Sequence, residues 1–281
     1  MSPTPEELRA EILGHWEAGE DMDVESARRS VARLLVALEQ GRVRAAEPDE
    51  DRWHAVEWVK RGILLAFRVG HNQRFDHPGA DFFDKDTLPL RRTNGLEERI
   101  RIVPGGTAVR TGAYLGPGVV IMPPAYVNVG ARVGEETMVD SLALVGSCAQ
   151  VGARVHLSAG AQLGGVLEPV GLQPVVVEDD VLVGANAGVF EGVRVGRRAV
   201  LAPGVILTAS TALYDLPRET VYRGTADRPL EVPEGAVVVP GSRPASGDWA
   251  AERGLQLYAP VVVKYRDERT EAATELEEVL R

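Results

Sequence analysis

Through the middle of the chain an aliphatic residue recurs at every sixth position. Ile, Leu or Val stands at 103, 109, 115, 121, 127, 133, 139, 145, 151, 157 and 163, and again at 177, 183, 189, 195, 201 and 207. Blocks such as VRTGAY, LGPGVV, VNVGAR and LAPGVI carry a small residue, Ala, Val or Thr, at their fifth place, with Gly, Asn, Asp and Pro between. A simple β alternation would mark every second position and does not select every sixth. The period predicts a parallel β-helix, in which short strands joined by tight corners form a triangular coil, aliphatic and small places face inward, and coils stack ~4.8 Å apart. The expected fold class is an all-β core, a left-handed parallel β-helix of about six coils.

The register breaks twice. Leu163 and Val177 are fourteen apart, two more than two repeats, which predicts a loop at 169–174. A second interruption at 214–231 separates Leu207 from the late blocks VPEGAV and VVPGSR. Insertions in a solenoid gather on one face, often the binding face.

The ends lack the period. Thr4 followed by Pro5 opens a helix with the apolar stripe Leu8, Ile12, Leu13 and Trp16. Val31, Leu34, Leu35 and Leu38 make a second stripe ending at Gly41, and Val56, Val59, Ile63, Leu64 and Phe67 a third. These predict a mainly helical N-terminal domain that caps the open coil end, whose strand edges need cover. At the other end 257–265 (LYAPVVVKY) reads as a strand and 271–280 as a closing acidic helix. The expected division is 1–98, mainly helical; 99–245, β-helix; and 246–281, a strand and helix extension.

With 281 residues, 44% hydrophobic and 26% charged, the chain suits a soluble protein with this core and one flanking domain. A membrane span and a signal peptide are not expected, so the expected location is cytoplasmic. The net charge of −10 argues against nucleic acid and requires locally placed Arg or Lys for any anionic substrate. The single cysteine, Cys148, excludes an internal disulfide.

The stretches GRVRAAE, WVKRGILLAFRV, RIVPGGTAVRTGAYL, MPPAYVNVGARVGEETMVDSLALVGSCAQVG, VHLSAGAQLGGVLEP and LYAPVVVK resemble the tetrahydrodipicolinate N-succinyltransferase family, and the likeness covers nearly the whole chain. The resemblance implies a homotrimer with active sites in grooves between neighbouring prisms. There succinyl-CoA, a co-substrate and not a permanently bound cofactor, would give its succinyl group to the amino nitrogen of tetrahydrodipicolinate on the diaminopimelate route to lysine. Two alternatives stay open: acetyl-CoA as donor to the same acceptor, and a non-catalytic β-helix used for assembly.

By the same resemblance Arg101, in RIVP, matches a substrate-binding arginine. A planar guanidinium pairs bidentately with a carboxylate, as a dicarboxylate acceptor requires; Arg110, in VRTGAY, is a second candidate. Asp140, in MVDSLAL, matches the acidic active-site residue, both substrate-binding and catalytic. It could act as general base toward the attacking amine or accept the acyl group itself; a corner Asp bonding its own backbone is the bland alternative. Ala185, Ala202 and Gly204 correspond to places where pantetheine lies against backbone, and Lys264 could meet a CoA phosphate. Some members carry a second acid where this chain has Gly188, leaving Glu168 and Glu191 as substitutes. Cys148 reads as an apolar filler. His156, the one histidine of the coil, is too few for the three-histidine zinc site of γ-type carbonic anhydrases, so no metal is expected.

Overall fold

The structure is a computed structural model that describes residues 3–50, 52–77, 80–225 and 228–267; the helix expected at 271–280 lies outside the described residues. Its core is a parallel β-helix with three faces. The first face stacks six strands, from Ala108–Val109 to Ile206–Leu207, and the second six, from Tyr114–Leu115 to Glu231–Val232. The third runs from Arg101–Ile102 through Met138–Val139 and Val200–Leu201 to Ala236–Val239. The six-residue period and the coil count agree with the pattern of the sequence.

Both inward places are filled as expected. The first-place residues 109 to 207 are buried, as are the fifth-place Ala113, Ala131, Ala149 and Ala161. Thr137, a polar residue at a fifth place, is also buried; its Oγ1 donates to Gly152 O (2.9 Å) and accepts from Val155 N (3.0 Å). The fourth place of the block is the left-handed corner. Gly fills it at 112, 130, 160 and 204, but Glu136, Leu142, Cys148, Arg154, Asn186 and Arg198 also hold φ between 54° and 66° there. A side chain in this conformation costs roughly 1–2 kcal/mol.

Three expectations are corrected. At the first rung Ile102, not Val103, pairs with Ile121, so one residue is extra before Val109. LGGVLE is not a coil block: Val176–Val177 follows Gln162–Leu163 directly as the next strand, so the fourteen-residue step is one repeat of six plus an insertion of eight, spread over 164–175 at one corner. The third concerns the cap. Helices α1 (Pro5–Ala18), α2 (Val24–Glu39) and α3 (Glu57–Val69) pack on the flank and not over the open end. Leu35, Leu38 and Ile63 share a core cluster with Val129 and Cys148, along the corner that joins the first and second faces. Glu39 Oε1 accepts from Thr111 Oγ1 (2.7 Å) and Gly112 N (2.8 Å) on the same corner. The open rung is crossed instead by 89–103, with Arg91 N donating to Val109 O (2.8 Å) and Arg101 N to Val119 O (2.9 Å).

The N-terminal domain also holds two hairpins not anticipated from its sequence, Ala46–Asp49 with Arg52–Ala55 and Asn72–His77 with Ala80–Lys85. At the far end Val261–Tyr265 lies antiparallel to Ala236–Val239 and joins it to the hairpin of Ala212–Asp215 with Thr220–Arg223, which is the second interruption. Tyr265 OH donates to the buried Asp215 carboxylate (2.5 Å), tying that strand in place. Among the described residues no helix is long and apolar enough to cross a membrane.

One buried cation links domain to coil. Lys60 of α3 is fully buried, and its Nζ donates to the carbonyls of Pro169 (3.1 Å) and Leu172 (2.8 Å) in the eight-residue insertion. Burial pushes its pKa down, while Cys148 and Glu57 favour its charge. Lys60→Met removes the charged donor from these two carbonyls and should lower stability by about 1–3 kcal/mol in chemical denaturation; an unchanged midpoint would show that water replaces the amine at no cost.

Candidate active site

Asp140 stands on the corner between the third and first faces. The corner is a column: Met122, Asp140, Ser158, Gly184 and Ala202 occupy equivalent places, each directly after a third-face strand. Its rungs are joined by backbone bonds, Leu142 N to Pro124 O (2.6 Å), Gly160 N to Ser141 O (2.8 Å), Asn186 N to Ala159 O (3.0 Å) and Gly204 N to Ala185 O (3.0 Å). Asp140, Ala185, Ala202 and Gly204, named separately from the sequence, therefore lie on one edge of the prism. Ala202 is three rungs beyond Asp140, roughly 14 Å along the axis.

The Asp140 carboxylate is half-buried, with Oδ1 accepting from Ser141 N (2.7 Å). That is the local backbone bond of a corner Asp, and it orients the group while leaving Oδ2 without a hydrogen-bond partner among the described residues. Arg101 is exposed on the first rung of the third face, in register with Val120 and then Met138. It is thus two rungs, about 10 Å, from the strand that leads into Asp140. Lys264 closes the same outer row at the other end, paired with Val237, and its Nζ meets Asp267 at 3.2 Å with both side chains about half exposed. An exposed pair of this kind is worth ~1 kcal/mol or less and exchanges readily for another anion.

Other candidates sit elsewhere. Arg110 is on the helix-bearing corner, where it pairs with Asp84 (2.7 Å) and donates to Leu88 O (2.9 Å), joining coil to N-terminal domain. Glu168 and Glu191 also flank that corner and line a cavity of about 1110 Å³ under the 46–55 hairpin, so neither is beside Asp140 within one chain. At Gly188 a Cβ would lie 2.5 Å from the Phe190 ring and 3.0 Å from Ile206 Cδ1. Those two apolar side chains occupy the room that an acid would need. Phe190 was not singled out from sequence, although it puts an aromatic ring in the block-second place, which the other blocks fill without one.

Cys148 is fully buried against Lys60, and burial raises its thiol pKa to about 12. His156 is in the outer row of the third face. Among the described residues no group of three His, Cys, Asp or Glu side chains could hold a metal ion.

The repeats define a class. Residues 174–209 match a family model described as the hexapeptide repeat of succinyl-transferase, and the chain is an acyltransferase of the hexapeptide-repeat kind. Residues 7–69 match the model of the tetrahydrodipicolinate N-succinyltransferase N-terminal domain. A relative in Paramagnetospirillum magneticum, named 2,3,4,5-tetrahydropyridine-2,6-dicarboxylate N-succinyltransferase, is 41% identical over 98% of this chain and 98% of its own length. Relatives of the same name in Polynucleobacter asymbioticus and Bradyrhizobium diazoefficiens are 40% identical over 100% of both chains and 43% identical over 90% of both. The chain belongs to the tetrahydrodipicolinate N-succinyltransferase family.

A thiol reagent should leave Cys148 of the folded protein unlabelled at pH 8 and modify it only after denaturation; labelling at the rate of a free thiol would contradict its burial.

Proposed function

We propose that the chain transfers the succinyl group of succinyl-CoA to the amino nitrogen of tetrahydrodipicolinate, in the diaminopimelate route to lysine, with Asp140 as general base. The observation that carries the assignment of the site is the single column that holds Asp140, Ala185, Ala202 and Gly204, beside a third-face outer row that has Arg101 at one end and Lys264 at the other. It offers one edge along which a long thioester can lie and one acid at which an amine can attack.

The cyclic acceptor takes up a water as its ring imine opens, which frees the amino group. The amine nitrogen then forms a bond to the thioester carbonyl carbon and the carbon–sulfur bond breaks. The proton leaving nitrogen passes to Oδ2 of Asp140, and from there to the departing thiolate of CoA, so that charge and atoms balance. With Oδ1 tied to Ser141 N, the carboxylate has one oxygen directed by the backbone and one for proton transfer. Arg101 would pair with an acceptor carboxylate, Lys264 with a CoA phosphate, and the small residues between would admit the pantetheine arm.

The column is open on one side, and we infer that a second copy closes it in a homotrimer of left-handed coils. Leu142 is 64% exposed at the rung of Asp140, and Ile206 beside the corner is 39% exposed. These apolar residues suit burial against a neighbouring prism.

Asp140→Asn should lower turnover about 100-fold in a thiol-release assay with succinyl-CoA and 2-aminopimelate or tetrahydrodipicolinate, run beside acetyl-CoA. Near-normal turnover would remove Asp140 from the chemistry, and a preference for acetyl-CoA would replace the donor. Arg101→Lys should raise the acceptor KM and leave that of the donor. Leu142→Glu should sediment as monomer and lose activity together with assembly; an active monomer would refute a site shared between subunits.

A further inference from the structure

On the far side of the prism, the hairpin of Ala46–Asp49 with Arg52–Ala55 and the second face border a half-open cavity of about 680 Å³. That volume lies in the range of small-molecule sites, ~300–1,000 Å³. Two guanidiniums share it. Arg44 stacks over the Trp53 ring (5.0 Å to the centroid) and Arg132 over the Tyr114 ring (4.0 Å). Neither makes an ion pair with a described residue.

Both are held in place. Gln150 is 2% exposed, and its Nε2 donates to Cys148 O (2.8 Å), which turns Oε1 toward Arg44 Nε (3.2 Å). Trp53 Nε1 donates to Glu178 (3.2 Å), anchoring the ring beneath Arg44. On Arg132, Nη1 lies 3.2 Å from where a Cβ on Gly41 would be, and Tyr114 Cε2 2.8 Å from the same point, so the guanidinium is wedged between the ring and the end of α2. Among the described residues, the terminal nitrogens of Arg44 and the fork of Arg132 have no hydrogen-bond acceptor. The arrangement works against itself: burial first, and then Arg132, lower the Arg44 pKa to about 10, with Glu47 the charge that opposes them.

The described acids that line the cavity make no ion pair with Arg44 or Arg132. Glu178 is taken by Arg194 (2.8 Å) and Asp179 by Arg197 (3.2 Å), while Glu50, Glu135 and Glu234 are exposed to solvent. Two like charges brought together where both are partly buried, stacked and oriented, cost free energy that a bound anion returns. A guanidinium fork takes a carboxylate or a phosphate bidentately, and two forks take a dianion.

We propose that the cavity between the 46–55 hairpin and the second face binds a compact dianion, a phosphate or a dicarboxylate, through Arg44 and Arg132. The site is distinct from the column of Asp140, which lies on the corner opposite this face.

The test is the melting temperature of the full-length protein in low-salt zwitterionic buffer, titrated separately with inorganic phosphate and with succinate. Sodium chloride at matched ionic strength is the control. A saturable rise with either anion, above the chloride control, is expected, and the anion that gives it identifies the source. No saturable rise with either, or an equal rise with chloride, overturns the proposal. Arg132→Gln should melt no lower than the parent without ligand, because a like charge has gone, and should lose the anion-dependent rise. Arg44→Gln, the second variant, should weaken anion affinity at least tenfold. A rise retained in both overturns the site. Asp140→Asn should keep the full rise; its loss there would place the anion at the acyl-transfer corner and refute a separate site.

Discussion

Coil-to-coil backbone hydrogen bonding is the constraint on which the rest of this protein depends. Each two-residue strand donates from its N–H groups to the carbonyls of the next coil, as in the run Tyr114 to Ala131, Arg132 to Ala149 and Gln150 to Val175, all 2.9 Å. A strand so short has no stability alone, so register must be kept from coil to coil, and the aliphatic side chains that face inward keep it. Corners then fall into columns, and residues eighteen apart become neighbours. The site follows from that alignment: Asp140 and the small residues after it share an edge because the hydrogen-bond register puts them there.

Much of the fold was legible because inward places at a solenoid are set by burial, and burial leaves a hydropathic trace. Positions 109 to 207 carry it without exception. What the trace does not report is a turn that lengthens. LGGVLE begins with a leucine in register and so looks like one more block, yet after Leu163 the chain leaves the coil and returns only at Val176. The hairpin of Ala46–Asp49 with Arg52–Ala55 was missed for the opposite reason. AEPD and RWHA lack apolar alternation, and their pairing rests on packing against the prism, where Trp53 reaches Glu178 across 125 positions of sequence.

Of the site, the parts on one column were readable and the parts that depend on which corner faces which way were not. Asp140, Ala185, Ala202 and Gly204 fall in the blocks that begin at 139, 183 and 201, which are whole multiples of three blocks apart, so counting blocks in threes puts them on the same edge. Glu168 and Glu191 keep no such phase with Asp140, and the structure sets them at a different corner beneath the hairpin. At Gly188 the side chains of Phe190 and Ile206 fill the space that any larger residue would need. The left-handed fourth place was visible in the glycines at 112, 130, 160 and 204. Leu142 in that place departs from the pattern at the rung of the candidate base.

The amine of Lys60 gives the polypeptide an order of assembly. Its two acceptors lie 109 and 112 positions later in the chain. During synthesis the N-terminal domain emerges first and can fold as a unit while the ribosome is still making the early coils. When the insertion appears, the ammonium that will hold it is already in place, and the chain is turned back into register for Val176. The helical domain thus acts as a template for the first of the two places at which the repeat is interrupted.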